Sequence, residues 1–478
     1  MTTDTSTEYT PQPPSTDAAN QSTWFVFFIA SVAAIGGFLF GFDSGVINGT
    51  VSALSKAFNA NDISTGFNVA SVLLGCAIGA LVAGPLADKT GRKPVMIVTA
   101  IIFALSAWGS GISTSATEFI LYRLLGGLGI GAASVLAPAY IAEIAPAAIR
   151  GRLATLQQLA IVLGLFTAFL SNYLIASVAG GAEGLLFLNI AAWRWMFWVE
   201  LIPALLFVVG VMFIPESPRY LVAQGKLKQA KTIFSKISSE NIEQQVSAVQ
   251  RSLHSEKKSS IANLFIVGQK KIHPIIWVGV ALSVFQQFVG INVVFYYGAE
   301  LWRAAGFDES QSLLINVITG TTNILSTFIA IALVDKIGRK PLLITGSIGM
   351  FISLAALTFI FGSADIDQSG QLALTNAMGT LALVMANLFV VFFGLSWGPI
   401  VWVLLGEMFN NRIRGVALAI AASAQWLANF AITMTFPILL GSVGLAGAYG
   451  LYALSAFISI FFVVRYVSET RGKALEAM

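Results

Sequence analysis

Charged side chains are scarce in this chain, 10% of 478 residues, so the few that fall inside long apolar runs stand out. Asp43 ends the run Gly36-Gly37-Phe38-Leu39-Phe40-Gly41-Phe42. Arg123 sits in Tyr122-Arg123-Leu124-Leu125-Gly126-Gly127. Glu200 follows shortly after Trp193-Arg194-Trp195-Met196-Phe197. An ionisable group in hydrocarbon is costly and marks a functional site by default. A carboxylate beside an arginine can do one of two things there. It can take up and release a proton as the arginine approaches and withdraws, or it can fix one helix against another as a static ion pair. Residue types alone leave both readings of Asp43 and Arg123 open.

A second set is polar and uncharged. Gln286-Gln287-Phe288-Val289-Gly290-Ile291-Asn292 runs on to Tyr296 and Tyr297. Gln286, Asn292 and Tyr296 fall within reach of one helix face, and Gly290 loosens the middle. Gln157 and Gln158, Asn316 and Asn323, Trp397 and Trp402, and Gln425, Trp426 and Asn429 lie in four further apolar runs. Amides both donate and accept hydrogen bonds, and aromatic faces pack against the C–H side of a pyranose. The set therefore suits a neutral polyol such as a monosaccharide. The rival reading, hydrogen bonding between helices, is the better one for a single amide. Recurrence on five runs favours a pocket. Gly126, Gly127, Gly129 and Gly131 read as close helix contacts. A nucleotide loop would need a preceding strand and a following Walker lysine. His254 and His273 have no partner at ligand spacing and Cys76 is the only cysteine. No cofactor, metal or disulfide is expected, nor an enzyme, because the intramembrane acids are scattered.

The elements that must position these groups are membrane helices. A soluble chain carries about 25% charged residues; this one is 56% hydrophobic. Twelve runs are long enough to span a bilayer: 24–46, 66–87, 95–113, 118–140, 153–176, 191–214, 274–300, 311–334, 341–362, 377–405, 415–440 and 446–467. The reading is an all-α polytopic membrane protein of two pseudo-symmetric six-helix bundles. Residues 1–23 form a disordered cytoplasmic tail, 24–214 the first bundle, 215–273 a cytoplasmic helical linker, 274–467 the second bundle and 468–478 a cytoplasmic tail. Duplication carries the symmetry. Asp88-Lys89-Thr90-Gly91-Arg92-Lys93 returns as Asp335-Lys336-Ile337-Gly338-Arg339-Lys340, 247 residues on, and Glu143 and Glu407 each stand seven residues before Arg150 and Arg414. Two similar halves in a membrane suggest a secondary transporter. Of the 27 Lys and Arg, 22 fall on one side of this topology, which places both termini in the cytoplasm. Asp88, Arg92, Glu143, Arg150, Asp335, Arg339, Glu407 and Arg414 then line the cytoplasmic rim. They read as a gate of ion pairs between the halves, or as loops that only hold topology; the matched acids favour the gate.

The Gly-Arg-Lys loops in both halves resemble the sugar porter family of the major facilitator superfamily. So do Pro215-Glu216-Ser217-Pro218-Arg219, the Gln286-to-Asn292 run, Gly398-Pro399-Ile400-Val401-Trp402 and Ser468-Glu469-Thr470-Arg471-Gly472. The similarity extends from about residue 25 to the end and is closest to proton-coupled hexose or xylose carriers and facilitative glucose carriers. It implies the major facilitator fold, with short cytoplasmic helices between the bundles. It implies sugar contacts at Gln158, Gln286, Gln287, Asn292, Asn323 and Trp402, with Gln425 and Trp426 in the corresponding region and Phe40 and Tyr296 lining the cavity. Asp43 matches the carboxylate of symporters, where facilitators have Asn. Arg123 matches its partner, and Glu200 a cytoplasmic-side acid. Three positions depart from the family: Asn410 and Ser468 stand where Pro is usual, and Leu165 where some xylose carriers have a second Gln. The expectation is a monomeric, multi-pass bacterial inner-membrane protein that takes up a monosaccharide, glucose or another hexose, with a proton. Its partners are sugar, proton and lipid bilayer, with no nucleic acid. A facilitative uniporter is the alternative, ahead of a xylose-preferring symporter or a sugar sensor.

Overall fold

The computed structural model describes residues 16–146, 149–237, 241–255, 264, 272–366, 372–409 and 413–471. Eleven helical stretches among them are long and apolar enough to cross a membrane. They are α1 (Trp24–Gly49), α2 (Asp62–Thr90), α3 (Arg92–Ile112), α4 (Ala116–Ile144), α5 (Thr155–Ala179), α6 (Ala192–Phe213), α7 (Pro274–Ala304), α8 (Glu309–Val334), α9 (Arg339–Gly362), α10 (Asn376–Met408) and a last stretch, Arg414–Tyr466. That stretch is broken at Gly444, whose φ of 67° is open to glycine, so it makes two crossings, α11 (414–443) and α12 (445–466). Twelve crossings result, as the hydropathy runs predict. A two-residue strand pair, Asp365–Ile366 with Leu372–Ala373, lies between α9 and α10; it is too short to leave a pattern in the sequence.

Small residues set the packing. In the first half α1 lies on α5 and α2 on α4. A methyl group at Gly41 would collide with the Ile161 carbonyl, and one at Gly127 with that of Val72. Without such glycines the backbones could not approach so closely. In the second half α9 packs on α10 and on α11–α12. The halves meet along two seams, α2 on α11 and α5 on α8. In the first seam Gly66 lies against the Met434 carbonyl, and the rings of Phe67 and Phe430 are 6.4 Å apart.

Three crossings are interrupted. In α6 the break falls at Glu200, between helices Ala192–Val199 and Leu201–Phe213. Pro203 has no N–H to offer the Val199 carbonyl, which accounts for the break. In α7 it falls at Gly290, φ 85°, between Pro274–Phe288 and Ile291–Ala304. In α10 it separates Asn376–Gly394 from Trp397–Met408, with Pro399 just inside the second piece. Helices Pro218–Ala223, Leu227–Ile237 and Ile242–Ser255 connect the halves. The face of the bundle that carries them is the linker face; the other is the far face.

Candidate functional site

Asp43 and Arg123 are buried together, 1% and 0% exposed, between α1 and α4. Arg123 Nη1 donates to Asp43 Oδ1 at 2.5 Å and Nη2 to the Asp43 carbonyl at 3.4 Å. Glu200, also fully buried, faces both groups from the break in α6. The resemblance puts Glu200 on the cytoplasmic side. Here it lies with Asp43 and Arg123 nearer the far face, because the interruption of α6 comes only eight residues into the crossing. The Arg123 guanidinium also stacks over Phe197, 5.9 Å from its centroid. Two carboxyls and one guanidinium share an apolar surround, so burial is least costly with no net charge, one carboxyl holding a proton and the other paired with the guanidinium. Proton occupancy and ion pairing are thus linked at one place.

The amides of α7 form a directed chain. Asn292 Nδ2 donates to Gln287 Oε1, and Gln287 Nε2 to Gln286 Oε1 at 3.3 Å. Gln286 Nε2 donates to the carbonyls of Trp397 at 2.8 Å and Gly398 at 3.2 Å. The break in α7 is thereby tied to the first turn of the second piece of α10, whose carbonyls each have a second lone pair with which to accept it. Gln286 and Gln287 are buried, whereas Asn292 at the open end is half-buried. Trp397 Nε1 is held by Ser347 Oγ at 2.9 Å. Trp402 is 42% exposed, while Gln158 and Gln425 are half-buried. Across the gap between the halves Phe40 and Trp426 stand 6.0 Å apart, ring to ring. Asn429 Nδ2 donates to the Tyr296 hydroxyl at 3.4 Å. Asn323 is buried against Gly394, at the break of α10. Gln286, Gln287, Asn292 and Asn323 therefore gather where the breaks of α7 and α10 face one another. Gln286 and Gln287 act first as hydrogen-bond ties, so of that run Asn292 is the amide left to meet a ligand.

On the linker face the two loops are built alike. Arg92 forks onto Glu143 at 3.0 and 3.1 Å, and Arg339 onto Glu407 at 2.8 and 3.1 Å. Asp88 adds a 2.8 Å contact to Arg92. Glu216 accepts the backbone N–H groups of Arg92 and Lys93 at the start of α3, and Glu469 those of Arg339 and Lys340 at the start of α9. Carboxylates are favoured at helix N-termini. Pairing between the halves, expected in one of the two states of the gate and lost in the other, is not the arrangement of this structure. Among the described residues each of these ion pairs stays within one half, because the acid at the end of the neighbouring helix is already in fork geometry. Arg414 Nε donates to the Phe409 carbonyl at 3.1 Å. The side chains of Arg150 and Asp335, and all of Asn410, lie outside the described residues. The capping roles of Glu216 and Glu469 were missed in the sequence, although each sits at the same place in the repeat.

Hydrogen bonds between the halves cluster instead at the far face, where Asn48 meets α7 and α8, and Glu309 accepts the Ala182 N–H at 2.8 Å. The far side is closed. The family described as "Sugar (and other) transporter" matches residues 29–478. The chain belongs to this family. It is 56% identical to a glucose transport protein of Synechocystis sp., over 97% of this chain and 99% of that one. It is 39% identical to the D-xylose-proton symporter of Escherichia coli, covering 95% of each. The solved xylose transporter XylE of E. coli in its inward-open conformation superposes with a TM-score of 0.81 at 39% identity, covering 95% of this chain and 98% of that one. The chain is a multi-pass membrane protein with the major facilitator fold, and the family's members are transporters.

Proposed function

We propose that the protein carries a monosaccharide, glucose foremost, into the cell together with a proton by alternating access. The observation that carries this reading is the buried Asp43–Arg123 pair with Glu200 beside it, set near an amide- and indole-lined gap between the halves. A proton on Asp43 removes the negative end of that pair. Coupling follows if the freed Arg123 and the bound sugar favour the same conformation. Sugar contacts are assigned to Asn292, Gln158, Gln425, Asn323, Trp402 and Trp426, with Phe40 and Tyr296 walling the cavity and Gln286 and Gln287 steadying it. The linker-face arginines and acids, Arg150 and Asp335 included, serve as the cytoplasmic gate, ordered within each half while that side is open. Both termini lie in the cytoplasm of a bacterial inner membrane, and the protein works as a monomer.

Glucose rests on two supports. One is the 56% identity to a glucose transport protein. The other is Leu165, which packs against Gly45 of α1, its Cδ1 3.1 Å from where a Cβ would stand, and adds no amide to the wall. The similarity to xylose-proton symporters supports the coupling. A facilitative carrier, with the ion pair purely structural, is the reading to beat. In right-side-out vesicles, adding glucose alkalinises the medium for the parent protein. Asp43→Asn keeps sugar exchange but produces no alkalinisation. Sugar uptake by the parent with no proton movement would leave a facilitator.

A further inference from the structure

Asn48 stands at the far end of α1, in the first half, 1% exposed. Its side chain reaches into α7 of the other half. Nδ2 donates to the Phe295 carbonyl at 2.8 Å, and Oδ1 accepts the Ala299 N–H at 3.1 Å. Those two groups are four residues apart, and a regular α-helix would join them to each other. Between them Tyr297 has φ −118° and ψ 16°, outside the helical region. Asn48 thus occupies both ends of one helical rung with its own amide. Asn316 of α8 holds it in place, Nδ2 donating to Asn48 Oδ1 at 2.7 Å. The approach needs a glycine at 298, where a Cβ would lie 2.8 Å from Asn48 Nδ2 and collide with Asn316 Oδ1.

We propose that Asn48 is a positioning residue that latches the far side, its amide standing in for the Phe295–Ala299 rung while the halves are closed there. When the far side opens, Asn48 withdraws and α7 takes the rung back. Neither state then leaves a buried backbone group unpaired. Such an exchange makes the segment around Tyr297 a two-state element, regular when open and interrupted when latched. The amide is suited to the task because its N–H donors and its carbonyl acceptor have the spacing of a peptide group. The inference rests on alternation between two open sides, but not on which sugar moves or whether a proton goes with it.

The test reads access to the far-side seam directly. Phe67→Cys, on a Cys76→Ala background, places a single thiol where α2 meets α11. Its reaction with a membrane-impermeant maleimide is timed from the far side, with no sugar and no proton gradient. Asn48→Ala is expected to raise the labelling rate about tenfold, the effect of losing three interhalf hydrogen bonds, two to α7 and one to α8, at the lower end of ordinary net strength. Asn48→Ser, whose single shorter hydroxyl cannot span both groups, gives an intermediate rise and serves if the alanine variant does not fold. A labelling rate within twofold of the parent in the folded variants overturns the latch. That result would leave the sugar and proton reading untouched, since neither species is present in the assay.

Discussion

Asp43 and Arg123 carry opposite charges in a place where neither would be tolerated alone, and the 2.5 Å contact between them satisfies only part of each. Gln286 is a different kind of buried polar group, because both carbonyls it serves belong to a broken helix. Replacing it with leucine removes both bonds and leaves the buried Gln287 Nε2 without its acceptor. Gln286→Leu is therefore expected to lose about 1–3 kcal/mol of stability, seen as a lower thermal midpoint in detergent. Asn292, half-buried at the open end of the same chain of amides, has no such duty. Asn292→Ala is expected to raise the KM for sugar uptake with little change in midpoint. Equal loss of midpoint in both variants would mean that the run is structural throughout. The sequence put all these amides in view. It did not distinguish the tie from the ligand group, because that depends on which side chain the neighbouring helix piece brings its carbonyls against.

Glycines set how closely the helices approach one another, and their positions are not equivalent. Gly127 of α4 faces the Val72 carbonyl of α2 with no room for a methyl group, whereas the nearest atom to a methyl at Gly84 of α2 is 4.0 Å away. Gly127→Ala must push backbone from backbone, at a cost of about 1–3 kcal/mol or more. Gly84→Ala is expected to be neutral. Thermal midpoints of the two purified variants decide the matter, and a matched pair of values would show that the helix pair yields easily. The glycine-rich run of α4 was readable as a packing face from composition, but not which of its glycines meets backbone and which meets a side chain.

Across the whole molecule the same device is used twice at symmetric places. Glu469 closes the second half as Glu216 closes the first. Burial works to raise the Glu469 carboxyl, but N–H donation from Arg471, Arg339, Lys340 and Thr470 outweighs it and holds the group below its ordinary value of 4.5. A carboxyl lowered on folding contributes stability above its unfolded value and loses it as the pH falls through the folded one. The parent protein is expected to lose thermal midpoint as the pH drops below about 4. Glu469→Gln should start lower at neutral pH and lose less over that range. Parallel curves for the two would remove Glu469 from the account. The position of this acid at the end of the chain gave no hint of its partner, which starts α9 some 130 residues earlier.

Hydropathy and repetition are local properties, and they determined what local properties can. Twelve apolar runs of spanning length, a 247-residue duplication and a handful of polar groups inside it were all legible before any coordinate was known. Pairings between helices depend on how each helix is rotated and where it breaks, and both are settled only when all twelve pack. That is why Glu200 came to rest beside Asp43 and Arg123, and why Arg92 and Arg339 turned to acids of their own halves. It is also why Asn48, one amide at the end of an apolar run, was found inside a helix of the opposite half.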